Sequence, residues 1–183
     1  MPLIKTQAEG INLADTFAFT GAVSGAGGIT HLDQWRLTTN FTGGTTQVFA
    51  NSERVDTTGQ ATIGSAMTQS SGVFTFPVTG KWLVSAIFSI FHSGDARYYT
   101  HTIQVTLDNS NFTEISQGNI HVKQTAEGGA AYSQGAIQST IDVTDTSNVK
   151  IRSTCSTSQS GVTTLGDTAY NQTIITFIRF GDT

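Results

Sequence analysis

The sequence predicts an all-β fold, two sheets packed face to face, and three observations carry that reading. Segments after residue 30 alternate apolar and polar side chains with a period of two. No stretch of useful length repeats apolar residues at the helical spacing, and proline occurs only at positions 2 and 77. Clusters of Asp, Asn and Gly fall between the alternating runs: VDTTGQ, HSGDAR, LDNSN, AEGGA, TDTSN and LGDTA. Together they describe a sandwich of about eight to ten strands.

The first thirty residues stand apart. A short alternating segment, Thr16 to Thr20, is followed by small residues and four glycines between Gly21 and Gly28, a composition suited to an extended linker. Residues 1–30 are therefore expected to form an arm and 31–183 the sandwich domain. The arm carries Leu3, Ile4, Ile11, Leu13, Phe17 and Phe19. It is too short and glycine-rich to bury these in a core of its own, so a partner surface must supply one.

The most apolar stretch, SGVFTFPVTGKWLVSAIFSIF at 71–91, decides the fold. A membrane-spanning helix needs about 20 uninterrupted apolar residues, and Pro77, Thr79, Gly80 and Lys81 cut this run in half. Membrane insertion is not expected. Pro77 and the abundance of Val, Ile, Phe and Thr also argue against a buried helix. The remaining reading is a pair of strands, Val73 to Val78 and Lys81 to Phe91, joined by a tight turn at Thr79-Gly80. Phe74, Gly80 and Trp82 are the expected core of that hairpin, with Trp82 lying beneath Phe74 and the C-terminal strand.

Further along, Tyr99, His101, Ile103, Val105 and Leu107 share one face of a strand, the inward one, while Tyr98, Thr100, Thr102, Gln104 and Thr106 share the other. By the same logic Ile137, Ile141 and Val143 point inward, as do Val149, Ile151 and Cys155, with Lys150, Arg152 and Thr154 outside. The final run, QTIITFIRF, is apolar on both faces until Arg179, as in a central strand.

Composition narrows the function. Only 12% of residues are charged, against about 25% in ordinary domains, so Thr, Ser, Asn, Gln and Gly must cover the surface. Such a surface suits a rigid β-assembly. The net charge of -4 and the lack of any Lys/Arg cluster argue against nucleic acid as a partner. A single cysteine, Cys155, excludes an intrachain disulfide and a cysteine-based zinc site, and reads as a small core residue. The N-terminus lacks the apolar region of a signal peptide. Three glycosylation sequons, at Asn40, Asn111 and Asn171, arise readily in a Thr-rich chain and carry no weight.

Around the stretch at 71–91 a family comes into view. GVFTFPVTGKWLVSAIFSI resembles the signature of the C1q/TNF-like jelly roll: a Gly-x-Phe strand, a turn glycine, then an aromatic two residues on within a long apolar strand. Gly72, Phe74, Gly80 and Trp82 occupy those places. The preceding TQVFANSERVDTTGQATIG and the closing TIITFIRFGD are similar to the strands that flank the signature in the family. Thr79 stands where C1q heads usually have proline, Phe76 where many have cysteine, and no collagen repeat is present. The resemblance implies a jelly-roll sandwich and a homotrimer with an aromatic patch at its threefold contact, for which Tyr98 is the candidate. The arm, GINLADTFAFTGAVSGAGG, resembles N-terminal segments of structural proteins of marine tailed bacteriophages, which implies a place on the virion surface.

Catalytic and metal constellations are absent from the pattern. His101 falls on the apolar face, read as a satisfied core histidine, while His31, His92 and His121 fall at strand ends or loops without ligand spacing. Asp108 to Asn111 and Ser93 to Asp95 have oxygen donors for calcium, but Asx-turns explain both. Asp33, Glu53, Asp56 and Asp95 read as scattered in turns, without the paired carboxylates of a glycosidase. No catalytic residues, cofactor or metal are expected. Trp35, Trp82, Tyr98, Tyr99, Tyr132 and Tyr170 have rings that stack on sugars, though core or interface roles account for most of them. The expected function is a trimeric capsid decoration or cement protein, docked through its arm on the major capsid protein or another shell protein. The alternative is a tail or fibre-tip domain that binds a host-surface glycan.

Overall fold

The computed structural model describes residues 28–123 and 128–183. Twelve strands are present among them: β1 (His31–Leu37), β2 (Phe41–Thr42), β3 (Ser52–Arg54), β4 (Thr68–Ser70), β5 (Val73–Thr75), β6 (Gly80–His92), β7 (Ala96–Thr106), β8 (Phe112–Val122), β9 (Ala131–Val143), β10 (Lys150–Thr157), β11 (Thr163–Thr164) and β12 (Ile174–Gly181). The excess over the expected count consists of two- and three-residue strands. Among the described residues one 3-10 turn, Val48–Asn51, interrupts them. No helix of the described residues is long and apolar enough to cross a membrane. The arm residues Leu3, Ile4, Ile11, Leu13, Phe17 and Phe19, the alternating segment at 16–20 and part of the turn at 126–130 lie outside the described residues.

All pairings are antiparallel. The first sheet runs β2-β11-β6-β12-β1-β3, with β9 along the other edge of β6; the second runs β4-β5-β10-β7-β8. Alternate residues of each long strand meet between the sheets. Trp82, Val84, Ala86, Phe88 and Ile90 of β6 are all completely buried there, with Ile175 and Phe177 of β12 and Ile103 and Ile151 from the second sheet. β12 lies between β6 and β1, the central place its two-sided apolar pattern requires. Ile137, Ile141 and Val143 are buried, as are Val149, Ile151 and Cys155. This is the jelly-roll sandwich the sequence implied.

Three readings are corrected. First, the strands flanking Thr79-Gly80 are not a hairpin. β5 pairs with β4 and β10 in the second sheet, whereas β6 pairs with β9, β11 and β12 in the first. The chain therefore crosses between sheets over 76–79, and Pro77, which has no N–H to offer a ladder, sits in that crossing. Gly80 has φ of 137°, and a Cβ there would collide with the Arg179 side chain and the Gly181 carbonyl oxygen. Second, Trp82 does not lie beneath Phe74. Its ring packs on Phe76 at 5.2 Å and His31 at 5.6 Å, while Phe74 packs on Trp35, Phe49 and Phe177. Phe76 joins the two groups through its edge-on contact with Phe177.

Third, the alternation of β7 fails at its end. Thr106, expected outside, is completely buried, and Leu107, expected inside, is 68% exposed. The cause is the turn that follows. Thr106 Oγ1 donates to Asp108 Oδ1 at 2.9 Å and accepts from the Ser110 amide at 3.2 Å, so the side chain is folded under its own loop.

Candidate functional site

The two sheets present different outer faces, and the contrast begins in the strand alternation. In β6 the core-facing residues are even-numbered, so Leu83, Ser85, Ile87 and Phe91 point away from the core, as does Ser89, which is covered by its bonds to the Gln172 carbonyl and the Gln134 side chain. Cross-strand register sets Leu83 beside Ile178 of β12, and Ile178 beside Leu32 of β1. The next rows are Ser85, Thr176 and Gln34, and then Ile87 and Ile174. At the far end Phe91 lies across from Tyr132 of β9, their rings 5.6 Å apart, and Tyr132 is 70% exposed. Phe180 and Ile63 extend the apolar surface at the other end, both about half exposed.

Charge is confined to the margins of this face. Lys81 and Asp142 pair at 2.9 Å at one end. Arg36 points the same way at the β1 edge but is buried under Glu53 and Asp56, which it contacts at 2.7 and 2.6 Å. Between them only Leu, Ile, Phe, Tyr, Ala, Ser, Thr and Gln project.

The second sheet's outer face is instead a self-satisfied polar ladder. Thr102 and Thr154 hydroxyls meet at 2.7 Å, Arg152 Nε donates to Gln104 at 2.8 Å, and Thr100 donates to Asn119 at 2.6 Å. The Arg152 guanidinium also covers the Phe112 ring at 4.1 Å. Such groups are at home in water. Tyr98 is placed on this sheet, 45% exposed, away from the apolar rows. A separate apolar patch, Leu107 and Ile115, lies at the turn joining β7 to β8.

Asp95 lies in the turn between β6 and β7 as expected, but Asp33 and Glu53 lie on strands, and with Asp56 they gather on two arginines, which corrects the reading of these three as scattered in turns. Asp33 is buried on β1 and accepts from Arg54 Nε at 3.0 Å, the Trp35 indole at 3.1 Å and the Met67 amide at 2.8 Å. Arg54 stacks on Trp35 at 4.8 Å and donates to the Met67 carbonyl. Together with Arg36, Glu53 and Asp56, this network pins the segment after β3 against β1. The residues missed by sequence reasoning are these two arginines, and the β1–β3 register, Trp35 opposite Arg54 and Arg36 opposite Glu53, is what brings them to their acids.

The remaining candidates resolve locally. Asp108 accepts from the Ser110 and Asn111 amides at 2.9 and 2.7 Å and from the Asn111 side chain at 2.7 Å. Those bonds hold its carboxyl well below the usual carboxylate range and leave it an Asx-turn. Asp145 is held down in the same way by the Ser147 amide and Asn148. In the Ser93–Asp95 turn the Gly94 amide donates to His92 Nδ1 at 3.1 Å. Burial, reinforced by the nearby Arg179, lowers the pKa of His31. Burial pushes the Cys155 thiol up and pushes His101 down to about 4. His101 is buried, yet neither ring nitrogen makes a hydrogen bond of ordinary geometry and the Tyr99 backbone only partly offsets its burial, so it is not the fully satisfied core histidine expected. Among the described residues no three His, Cys, Asp or Glu side chains gather as a metal site.

The architecture is that of the TNF/C1q-like jelly-roll β-sandwich. The chain is similar to the crystal structure of murine APRIL at pH 5.0, with a TM-score of 0.54 and 8% identity, over 82% of this chain and 98% of that one. At that identity the likeness concerns the fold. No family model and no curated protein matches the sequence.

Proposed function

We propose that this protein is a structural component of a tailed-bacteriophage virion: a homotrimeric decoration or cement protein whose N-terminal arm docks on the capsid shell. The observation that carries the assembly is the contrast between the sheets. A broad uncharged apolar face in one sheet and a hydrogen-bonded polar face in the other give the molecule one side to bury and one to leave in water. Contact is assigned to the first sheet, in place of Tyr98. The apolar patch at Leu107 and Ile115 is a different surface from that face. Joining two unlike surfaces head to tail gives a ring when the rotation closes, and a threefold rotation gives a cyclic trimer. Homotrimers are common among TNF-like folds, which supports the count of three.

The virion assignment draws on the phrase-level resemblance of the arm and on the low charge of the surface. A second reading, a fibre-tip domain binding a host glycan, draws on Tyr132 and Tyr170, whose rings are 70% and 69% exposed. Copy number separates the two: hundreds per particle for decoration, a few tens or fewer for a fibre tip. The arm is tested by adding full-length protein and a version beginning at Thr30 to particles that lack it, then measuring retention after sedimentation. The decoration reading expects the shortened trimer to be lost from the particle, and equal retention of both forms overturns arm docking.

A further inference from the structure

His101 sits in the middle of β7, facing into the sandwich, directly across from Gly118 of β8 and Cys155 of β10. It is 1% exposed. A neutral imidazole carries one N–H donor and one acceptor, and here, among the described residues, neither nitrogen makes a hydrogen bond of ordinary geometry; the Tyr99 backbone is the one polar group near enough to favour the charged ring, and burial outweighs it. Buried polar groups are almost always paired, so an unpaired ring held in place by its neighbours calls for a reason.

The surroundings are shaped to this ring. A Cβ on Gly118 would lie 2.6 Å from His101 Nε2 and 2.7 Å from Ile137; one on Gly135 would lie 2.7 Å from Ile120 and 3.0 Å from His101 Cε1. Phe88, which is across from Gly135 in β9, stacks on His101 with ring centres 4.5 Å apart. The His101 ring, with Ile137 at one glycine and Ile120 at the other, thus fills the hollows left by two glycines on edge strands. β8 is the last strand of its sheet and β9 pairs only with β6, so these glycines let the two sheet edges close on each other.

We propose that His101 is an acid-operated wedge: once protonated, its ring cannot stay in this slot, and the β8–β9 edge of the sandwich opens. The groups facing it offer no counter-charge. β6 contributes Phe88, β8 Gly118 and Ile120, and β9 Gly135 and Ile137. The titratable neighbours are Tyr99 of its own strand and Cys155 of β10, and burial raises both, so both are neutral in the acidic range. The Tyr99 hydroxyl is already engaged with Thr164 at 2.7 Å.

The direction follows from linkage. With the folded state holding His101 near 4 and water restoring about 6.5, the closed edge is undisturbed above pH 6.5 and is progressively lost as pH falls toward 4. Ile115 lies on β8 three residues before Gly118 and Leu107 in the turn that leads into that strand, so displacing β8 would also release a neighbouring subunit. That consequence rests on the assembly proposed above, whereas the edge itself is tested without it.

The test is amide hydrogen exchange on the full chain at pH 7 and pH 5, corrected for intrinsic exchange, with β12 amides as the internal reference. Protection in β8 and β9 should fall about 20-fold relative to β12. His101→Phe and His101→Leu, which keep the slot filled without a titratable group, should show no such fall. Equal protection at both pH values overturns the wedge, as does the same fall in the variants or an equal loss in β12. Should neither variant fold, the His101 ring protons are followed by NMR titration in the unmodified protein. A midpoint below pH 5 supports the wedge and one near 6.5 overturns it.

Discussion

Trp82→Ala probes the packing account most sharply, because the indole is completely buried and joins three parts of the chain: β6, the 76–79 crossing through Phe76, and the start of β1 through His31. Truncating a buried Trp costs about 3 to 5 kcal/mol, the lost transfer energy plus the cavity left behind. The indole N–H has no partner, so its removal returns part of that cost and places the expectation near the lower end, about 3 kcal/mol. For a chain of this length that is a fall in Tm of about 6 to 12 °C. Trp82→Phe keeps a six-membered ring and removes the unpaired N–H with the rest of the five-membered ring, so it leaves a smaller cavity and should cost less than Trp82→Ala. Urea unfolding followed by fluorescence measures both, with Trp35 as the remaining reporter and protein concentration held constant so that assembly does not enter the comparison. Equal melting of Trp82→Ala and the unmodified protein would mean that the indole is not a packed core side chain, as would equal losses for Ala and Phe.

Two further outcomes follow from the corrected positions. Thr106→Ala should cost about 1 to 2 kcal/mol in the same unfolding assay, since it strips buried partners from the Asp108 turn; a neutral result would put Thr106 back on the surface. Asp33→Asn should cost about 2 kcal/mol, discounted because Arg54 is 38% exposed, and should raise proteolysis at the segment after β3; unchanged cleavage there would remove Asp33 as its anchor.

Strand faces were legible in the sequence wherever a strand is long and its turn distant. β9, β10 and β12 follow their alternation because a period of two states directly which residues share a face. The same period says nothing about which sheet a strand joins, so β5 and β6 read as a hairpin although Pro77 marks a crossing. At Thr106 and Leu107 the pattern was overridden by side-chain bonding within the turn. The Arg36 and Arg54 networks were hidden for a different reason: their partners meet through the pairing of β1 with β3, which only the topology supplies. His101 was legible as inward-facing, but its lack of partners depends on glycines in two other strands. The apolar outer face was half legible. The outward places of Ile174 and Ile178 were implicit in a strand apolar on both sides, whereas their alignment with Ile87 and Leu83 required the register.

The proposed assembly buries the first sheet's outer face, and the mass of the full-length protein beside that of Ile178→Glu decides whether it does. Ile178 is only partly buried in the protomer and sits between Leu83 and Leu32, so a carboxylate there can be hydrated in a free subunit but not in a buried contact. By sedimentation equilibrium at micromolar concentration, the expected masses are three times 19.4 kDa for the unmodified chain and 19.4 kDa for Ile178→Glu, with the β circular dichroism of both unchanged. A folded Ile178→Glu that stays trimeric, or an unmodified protein that stays monomeric, would contradict that assembly.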